Sequence, residues 1–151
     1  MSWQTPRTWS PGETVTASLM NAHLRDQLNA LEAKAIVVQI GNQLAGTIPT
    51  GIAAWVEIPV SLEITGWTLL GNAAGSIVID VWLDSYANHP PTVADTIAGT
   101  EKPTLSSAQK NQDLSLTTWS PDVDAGDVMY FNVDSCTGIS QCTLTLRAIP
   151  R

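Results

Sequence analysis

Two histidines, two cysteines and fourteen acidic residues are the material for chemistry in this chain, and their spacing assembles little of it. A nucleophilic triad needs a histidine within reach of a serine or cysteine, with an acid behind it. His23 falls among leucines on a helical stretch, where packing or an interface is its expected work. His89 precedes Pro90-Pro91, with Asp84 and Asp95 as its nearest acids. No enzymatic activity is expected from either. Cys136 and Cys142 flank Thr137-Gly-Ile-Ser; the pair supplies too few ligands for a zinc site, and the C-x-x-C redox spacing is absent. If the flanking segments form a hairpin, the two sulfurs could close a small disulfide, although a reducing cytosol favours two free thiols.

Asp122-Val-Asp-Ala-Gly-Asp127 has the look of a calcium loop but lacks the third spaced acid and the bidentate glutamate. A turn leading into the next strand is the expected reading. With no Gly-rich phosphate loop and no HExxH, neither a metal nor a cofactor is expected. One further combination merits a ligand. Asp80, Trp82 and Asp84 alternate onto one face of the run Ser76–Asp84, and Tyr86 follows shortly after. Carboxylates beside an aromatic platform suit a carbohydrate, and an outward-facing strand has the same composition. Trp82, Tyr86 and Asp84 are therefore the candidate ligand face.

The elements that would carry these residues fall into two parts, residues 1–35 and 36–151. The first opens as an extended arm, Met1–Glu13, containing Trp3, Pro6, Trp9 and Pro11. Terminal segments are normally polar and mobile, so the two indoles need burial, on this chain's own sheet or on a neighbouring subunit. An amphipathic helix follows, starting near Thr16 and running to Lys34. Thr14, Thr16 and Ser18 offer capping hydroxyls. Leu24, Leu28, Leu31 and Ala35 recur at the spacing of a coiled-coil seam, with polar Asn21 at the preceding core position, where it would fix register. So few heptads are marginal alone. Trp3, Trp9, Asn21, Leu24, Leu28 and Leu31 form the expected attachment or oligomer interface. The alternative is a helix lying on the chain's own sheet.

From Ile36 the apolar period switches to two. Strands are expected at 36–40, 51–60, 63–71, 76–84, 112–119, 127–136 and 141–149. The turn Asn72–Gly75 separates two of them, and a proline-bearing excursion spans Ser85–Asn111 with one helical turn at Thr92–Ile97. In the strand 51–60, Ile52, Ala54, Val56 and Ile58 share one face. Trp55, Trp67, Trp82 and Trp119 stand in or beside strands, as core or subunit-contact residues. The fold expected is mainly β, an antiparallel jelly-roll-like β-sandwich preceded by the arm and one α-helix.

Composition narrows the partners. Apolar residues at 44% exclude a disordered chain. Charged residues at 14% leave a surface of Ser, Thr, Asn and Gln, as in proteins that meet other subunits. A net charge of −7, with the basic residues scattered singly, argues against nucleic acid and against an anionic membrane. No run reaches the roughly 18 apolar residues of a membrane span, and the N-terminus lacks a signal-peptide pattern.

The opening Pro6-Arg-Thr-Trp-Ser-Pro-Gly-Glu-Thr-Val-Thr-Ala-Ser-Leu-Met-Asn-Ala-His-Leu-Arg-Asp-Gln-Leu-Asn-Ala-Leu resembles a leader found in tailed-bacteriophage virion proteins. Trp67-Thr-Leu-Leu, Gly75-Ser-Ile-Val-Ile-Asp-Val-Trp, Pro90-Pro-Thr-Val-Ala-Asp-Thr-Ile and Gly126-Asp-Val-Met-Tyr-Phe-Asn-Val are similar to segments of phage structural proteins. The resemblance implies a non-enzymatic homo-oligomer, most often a homotrimer, made in the host cytoplasm and built into the virion. Its arm and helix would attach to capsid or tail subunits and its β-domain would face outward, as capsid decoration, head fibre or tail fibre. The alternative function is a carbohydrate-binding receptor module for host-surface glycans.

Overall fold

The computed structural model describes residues 8, 10–21, 24, 34–44 and 46–151. The chain divides into two compact units, Met1–Ala33 and Lys34–Arg151. In the first, α1 spans Ala17–Met20; the Thr16 hydroxyl caps it by accepting from the Leu19 amide at 3.2 Å, and Asn21 closes it. Trp3, Trp9, Leu28 and Leu31 lie outside the described residues. Lys34 and Ala35 do not continue the helix. They open β1, Lys34–Gly41, as its pairing to Ala148 and Arg147 requires.

The second unit is mainly antiparallel β. Its strands after β1 are β2 (Gly51–Glu57), β3 (Leu62–Ser85), β4 (Thr104–Asp113), β5 (Asp122–Val123), β6 (Asp127–Thr137) and β7 (Gln141–Pro150). They hydrogen-bond in the order β1-β7-β3-β6-β2, with β4 and β5 also beside β3. The organiser is β3. Its first half pairs with β7 from Leu62↔Pro150 to Gly71↔Cys142, and its second half pairs with β6 from Ser76↔Thr137 to Ser85↔Asp127. The sheet thus curls from β1-β7-β3 into β3-β6-β2 around one core, giving a jelly-roll-like β-sandwich.

The expected reversal at Asn72–Gly75 is instead the bend in the middle of β3. The turn residues serve the corner differently. Asn72 Oδ1 accepts the Ser140 and Gln141 amides at 3.2 and 3.1 Å, tying the bend to the tip of the β6–β7 hairpin. At Gly75 a Cβ would stand 2.6 Å from the Thr137 carbonyl, so a side chain has no room. β4 turns the same corner alongside, its register slipping between Leu70 and Ile77, with Ser107 at φ +49°. Residues 112–119 were expected as a strand, but β4 takes Thr104–Asp113, largely from the expected excursion, and residues 114–119 are irregular.

Alternation places the core. Leu62 and Ile64 point inward; a bulge at Thr65 then shifts the inward set to Trp67 and Leu69, and Ile77, Ile79 and Val81 continue it beyond the bend. Met129, Phe131 and Val133 of β6 and Cys142, Leu144, Leu146 and Ala148 of β7 complete the interior. Phe131 is fully buried, a side chain whose truncation to alanine costs about 3–5 kcal/mol in such settings. In β2, Ala54 and Val56 pack on the core and Ile58 is buried just beyond. Ile52 departs from that face and is exposed, because the register shifts between Ile52 and Ala54.

Candidate functional site

The outer face of the β2-β6-β3 half-sheet carries Trp55, Tyr130 and Trp82, aromatic residues outside the core. Trp55 of β2 stands opposite Tyr130 of β6, and Tyr130 stands opposite Trp82 of β3. Directly opposed residues share a face, so the three rings form one row across the strands. Glu57, Val128 and Asp84 form the adjacent row. The Trp55 and Tyr130 ring centroids are 5.9 Å apart at 31°.

Where β3 ends, Asp84 organises the exit. Its Oδ1 accepts the Ser85 amide at 2.7 Å and the Asn88 side-chain amide at 3.1 Å. That holds the 3-10 turn Tyr86–Asn88 and brings His89 back over the sheet. His89 Nε2 and the Tyr130 hydroxyl share a hydrogen bond of 2.8 Å, with the rings edge to face at 5.6 Å. Trp55, Glu57, Tyr86, His89, Gly126 and Val128 thereby line an open depression of about 760 Å³. Trp55 is 66% exposed and Tyr86 78% exposed. The Trp55 indole N–H, the Glu57 carboxylate and the Tyr86 hydroxyl have no hydrogen-bond partner among the described residues.

Next to the depression lies a polar cluster of a different kind. Asp80 shares the outer face with Trp82, yet it is 0% exposed. The returning chain runs along the open edge of β3, donating from the Ile97 amide to the Val81 carbonyl and bridging Trp82 to Thr96. Asp80 Oδ1 accepts the Thr96 hydroxyl at 2.6 Å and the Val81 amide at 2.8 Å, while Lys102 Nζ stands 2.9 Å from Oδ2 and 2.7 Å from Asp134. Burial alone would raise the Asp80 carboxyl, but the Thr96 hydroxyl and the Lys102 ammonium outweigh it and hold the pKa below the ordinary value. The same pair of carboxylates raises Lys102, Asp134 foremost. Through Thr96 and Lys102 this cluster anchors the excursion to β3.

Of the candidate ligand face, Tyr86 lies in the depression. Trp82 lies outside the depression; it is half-buried, and its indole nitrogen is shielded from solvent. Asp84 is engaged in holding the turn. Trp55, Glu57, His89 and Tyr130 were not expected there. The parity of β2 carried a signal, since Trp55 and Glu57 alternate against Ala54 and Val56, but the pairing of β2 with β6 is not local. Cys136 and Cys142 are free thiols, not a disulfide. Burial, then the neighbouring Cys136, pushes the Cys142 thiol up to about 11, so it stays protonated and unreactive at neutral pH. Asp122 pairs with Arg151 at 2.6 Å and Asp124 with the same guanidinium, while Asp127 Oδ2 accepts the Asp124 amide at 3.0 Å. The segment is β5 and the turn into β6, held together by Arg151. Among the described residues, no group of three or more His, Cys, Asp or Glu side chains converges as a metal site would. On the attachment side, Asn21 is exposed and Leu24 is 49% exposed.

No protein-family model matches this chain, and no curated protein matches it in sequence. Among solved structures, a chain from the structure of the infectious bursal disease virus Gx strain aligns over 78% of this chain with 10% identity and a TM-score of 0.37. This chain spans about a third of that one, 33% of its length. A CBM4 carbohydrate-binding module aligns over 73% of this chain and 89% of its own, with 16% identity and a TM-score of 0.29.

Proposed function

We propose that this chain is a non-enzymatic structural protein of a tailed-phage virion. It is a homo-oligomer attached to capsid or tail subunits through residues 1–35, with its β-domain facing outward. The observation that carries this reading is the division of the chain at Ala33 into a small N-terminal unit and a β-unit with a complete core of its own. Such a plan suits an attachment device joined to a displayed domain. The phage-like leader in residues 6–31 supports it. So do the exposed apolar side chains of the β-unit, among them Val37, Val60, Leu70 and Leu114, on a surface poor in charge.

Two measurements test the reading. Light scattering on the purified protein is expected to give the mass of an oligomer, a trimer foremost; a strict monomer at micromolar concentration counts against self-association. Deleting residues 1–34 is expected to abolish incorporation into particles. Undiminished incorporation would move the attachment surface onto the β-domain.

A further inference from the structure

We infer that the depression between Trp55, Tyr86 and His89 is a binding site for neutral glycans. A sugar ring offers an apolar face of C–H bonds, which stacks on an aromatic ring, and a rim of hydroxyls that both donate and accept. The depression supplies both partners. Trp55 and Tyr86 present large aromatic surfaces to solvent, and neither ring is needed by the core. Placing them there costs apolar exposure that a purely structural sheet face would avoid with a threonine or lysine. Tyr130 backs Trp55, and the Tyr130–His89 hydrogen bond fixes the wall, so the platform is held before a ligand arrives.

The polar groups are arranged for the rim. The Glu57 carboxylate accepts, the Trp55 N–H donates, and the Tyr86 hydroxyl does either; all three are free of partners among the described residues. That contrasts with Asp80 close by, whose carboxylate meets the Thr96 hydroxyl, the Val81 amide and the Lys102 ammonium. A buried network holds structure, whereas convergent unpaired groups around exposed aromatics await a ligand. At about 760 Å³ and open on one side, the depression accommodates a short oligosaccharide lying across it.

Charge sets the class. Glu57 lines the depression, no Lys or Arg among the described residues does, and the chain carries −7 overall. A uronic or sialic acid would meet a carboxylate without a compensating cation, so neutral hexoses and N-acetylhexosamines are favoured. Such a site would serve the protein wherever it stands in a virion.

The test is a glycan array of neutral, uronate-bearing and sialylated oligosaccharides probed with the full chain, followed by calorimetric titration of the strongest neutral hit. The expected result is a signal confined to neutral glycans, weakened at least tenfold in Trp55→Ala and in Tyr86→Ala and largely retained in Trp55→Phe. Leu70→Ala, an exposed apolar residue elsewhere on β3, should bind as the parent does. Melting temperatures of all four variants show whether the fold is intact; because both rings are exposed, the two alanine variants should melt with the parent. A silent array overturns the inference. So does a signal unaffected by either alanine change, or one restricted to anionic glycans. If the array is silent while Trp55→Ala reduces incorporation into particles, the aromatic face is a protein contact instead.

Discussion

Glu101 and Lys102 are adjacent in sequence near the end of the long connection between β3 and β4, and they tie it to two different places, Glu101 to residues 117–118 and Lys102 to Asp80 and Asp134. The Glu101 carboxylate accepts from the Thr117 hydroxyl at 2.6 Å and from the Thr117 and Thr118 amides at 2.8 and 2.7 Å. Those bonds, the Thr117 hydroxyl first, lower its pKa from 4.5 to about 2. A depressed carboxylate stabilises the fold above its unfolded pKa and loses that contribution as pH falls through the folded value. Glu101→Gln is therefore expected to melt below the parent near neutral pH, with the difference closing between pH 4.5 and about 2; thermal unfolding across that range measures it. A difference independent of pH would assign the loss to geometry and not to charge. Lys102 faces the harder electrostatic problem. Removing it in Lys102→Met leaves Asp80 buried with no cation, and the expected loss is about 3 kcal/mol in chemical denaturation. The low end of the range applies because the Lys102 side chain is 29% exposed. None of this was legible in the sequence. Asp80 reads there as an outward strand residue, and only the returning chain, arriving through Thr96 and Lys102, makes it an interior one.

At the scale of elements, period-two alternation located β1, β2, β6 and β7 to within a few residues and gave the inward set Ile77, Ile79 and Val81. It failed where composition and geometry diverge. Asn72-Ala-Ala-Gly75 has turn residues, yet the strand passes through it, because a sheet that curls needs small residues at its corner as much as a hairpin needs them at its tip. β4 was missed because Thr-Leu-Ser-Ser-Ala-Gln-Lys-Asn-Gln-Asp has almost no apolar alternation; it is a mostly exposed strand held by β3. The candidate site was half legible for a related reason. Tyr86 follows β3 directly, whereas Trp55 and Tyr130 meet only through the β2–β6 pairing, which local sequence does not encode. The corner gives a direct test. In Gly75→Ala the new methyl would meet the Thr137 carbonyl at 2.6 Å and Ile139 Cγ1 at 2.7 Å, and neither the backbone nor the packed isoleucine yields easily. The expected cost is about 1–3 kcal/mol, read as a lower denaturation midpoint with an unchanged slope. An unchanged midpoint would show that the corner relaxes, and that glycine is there for some other reason.

For the whole molecule, the decisive issue is where the autonomous fold begins. The leucine spacing draws the boundary after Ala35, and the β1–β7 ladder draws it before Lys34, since Lys34↔Ala148 and Ala35↔Arg147 are its first pairs. The buried core runs from Ile40 to Ala148. A fragment of residues 34–151 keeps every strand and every buried apolar side chain of the β-unit, and at that size a domain buries enough surface to fold alone. It is expected to unfold cooperatively, with a melting temperature within about 4 °C of the full chain. A fragment of residues 38–151 is the informative contrast. It loses the Lys34–Val37 pairings and the packing of Ile36 against the core, and it leaves that end of β7 as an unprotected edge. That fragment should melt well below the first and aggregate on heating, which circular dichroism and light scattering would register together. Equal stability of the two fragments would mean that the first half of β1 contributes nothing to the fold and belongs with the attachment segment. A collapse of both would mean that residues 1–33 are part of the folded unit and not a device for joining it to a particle.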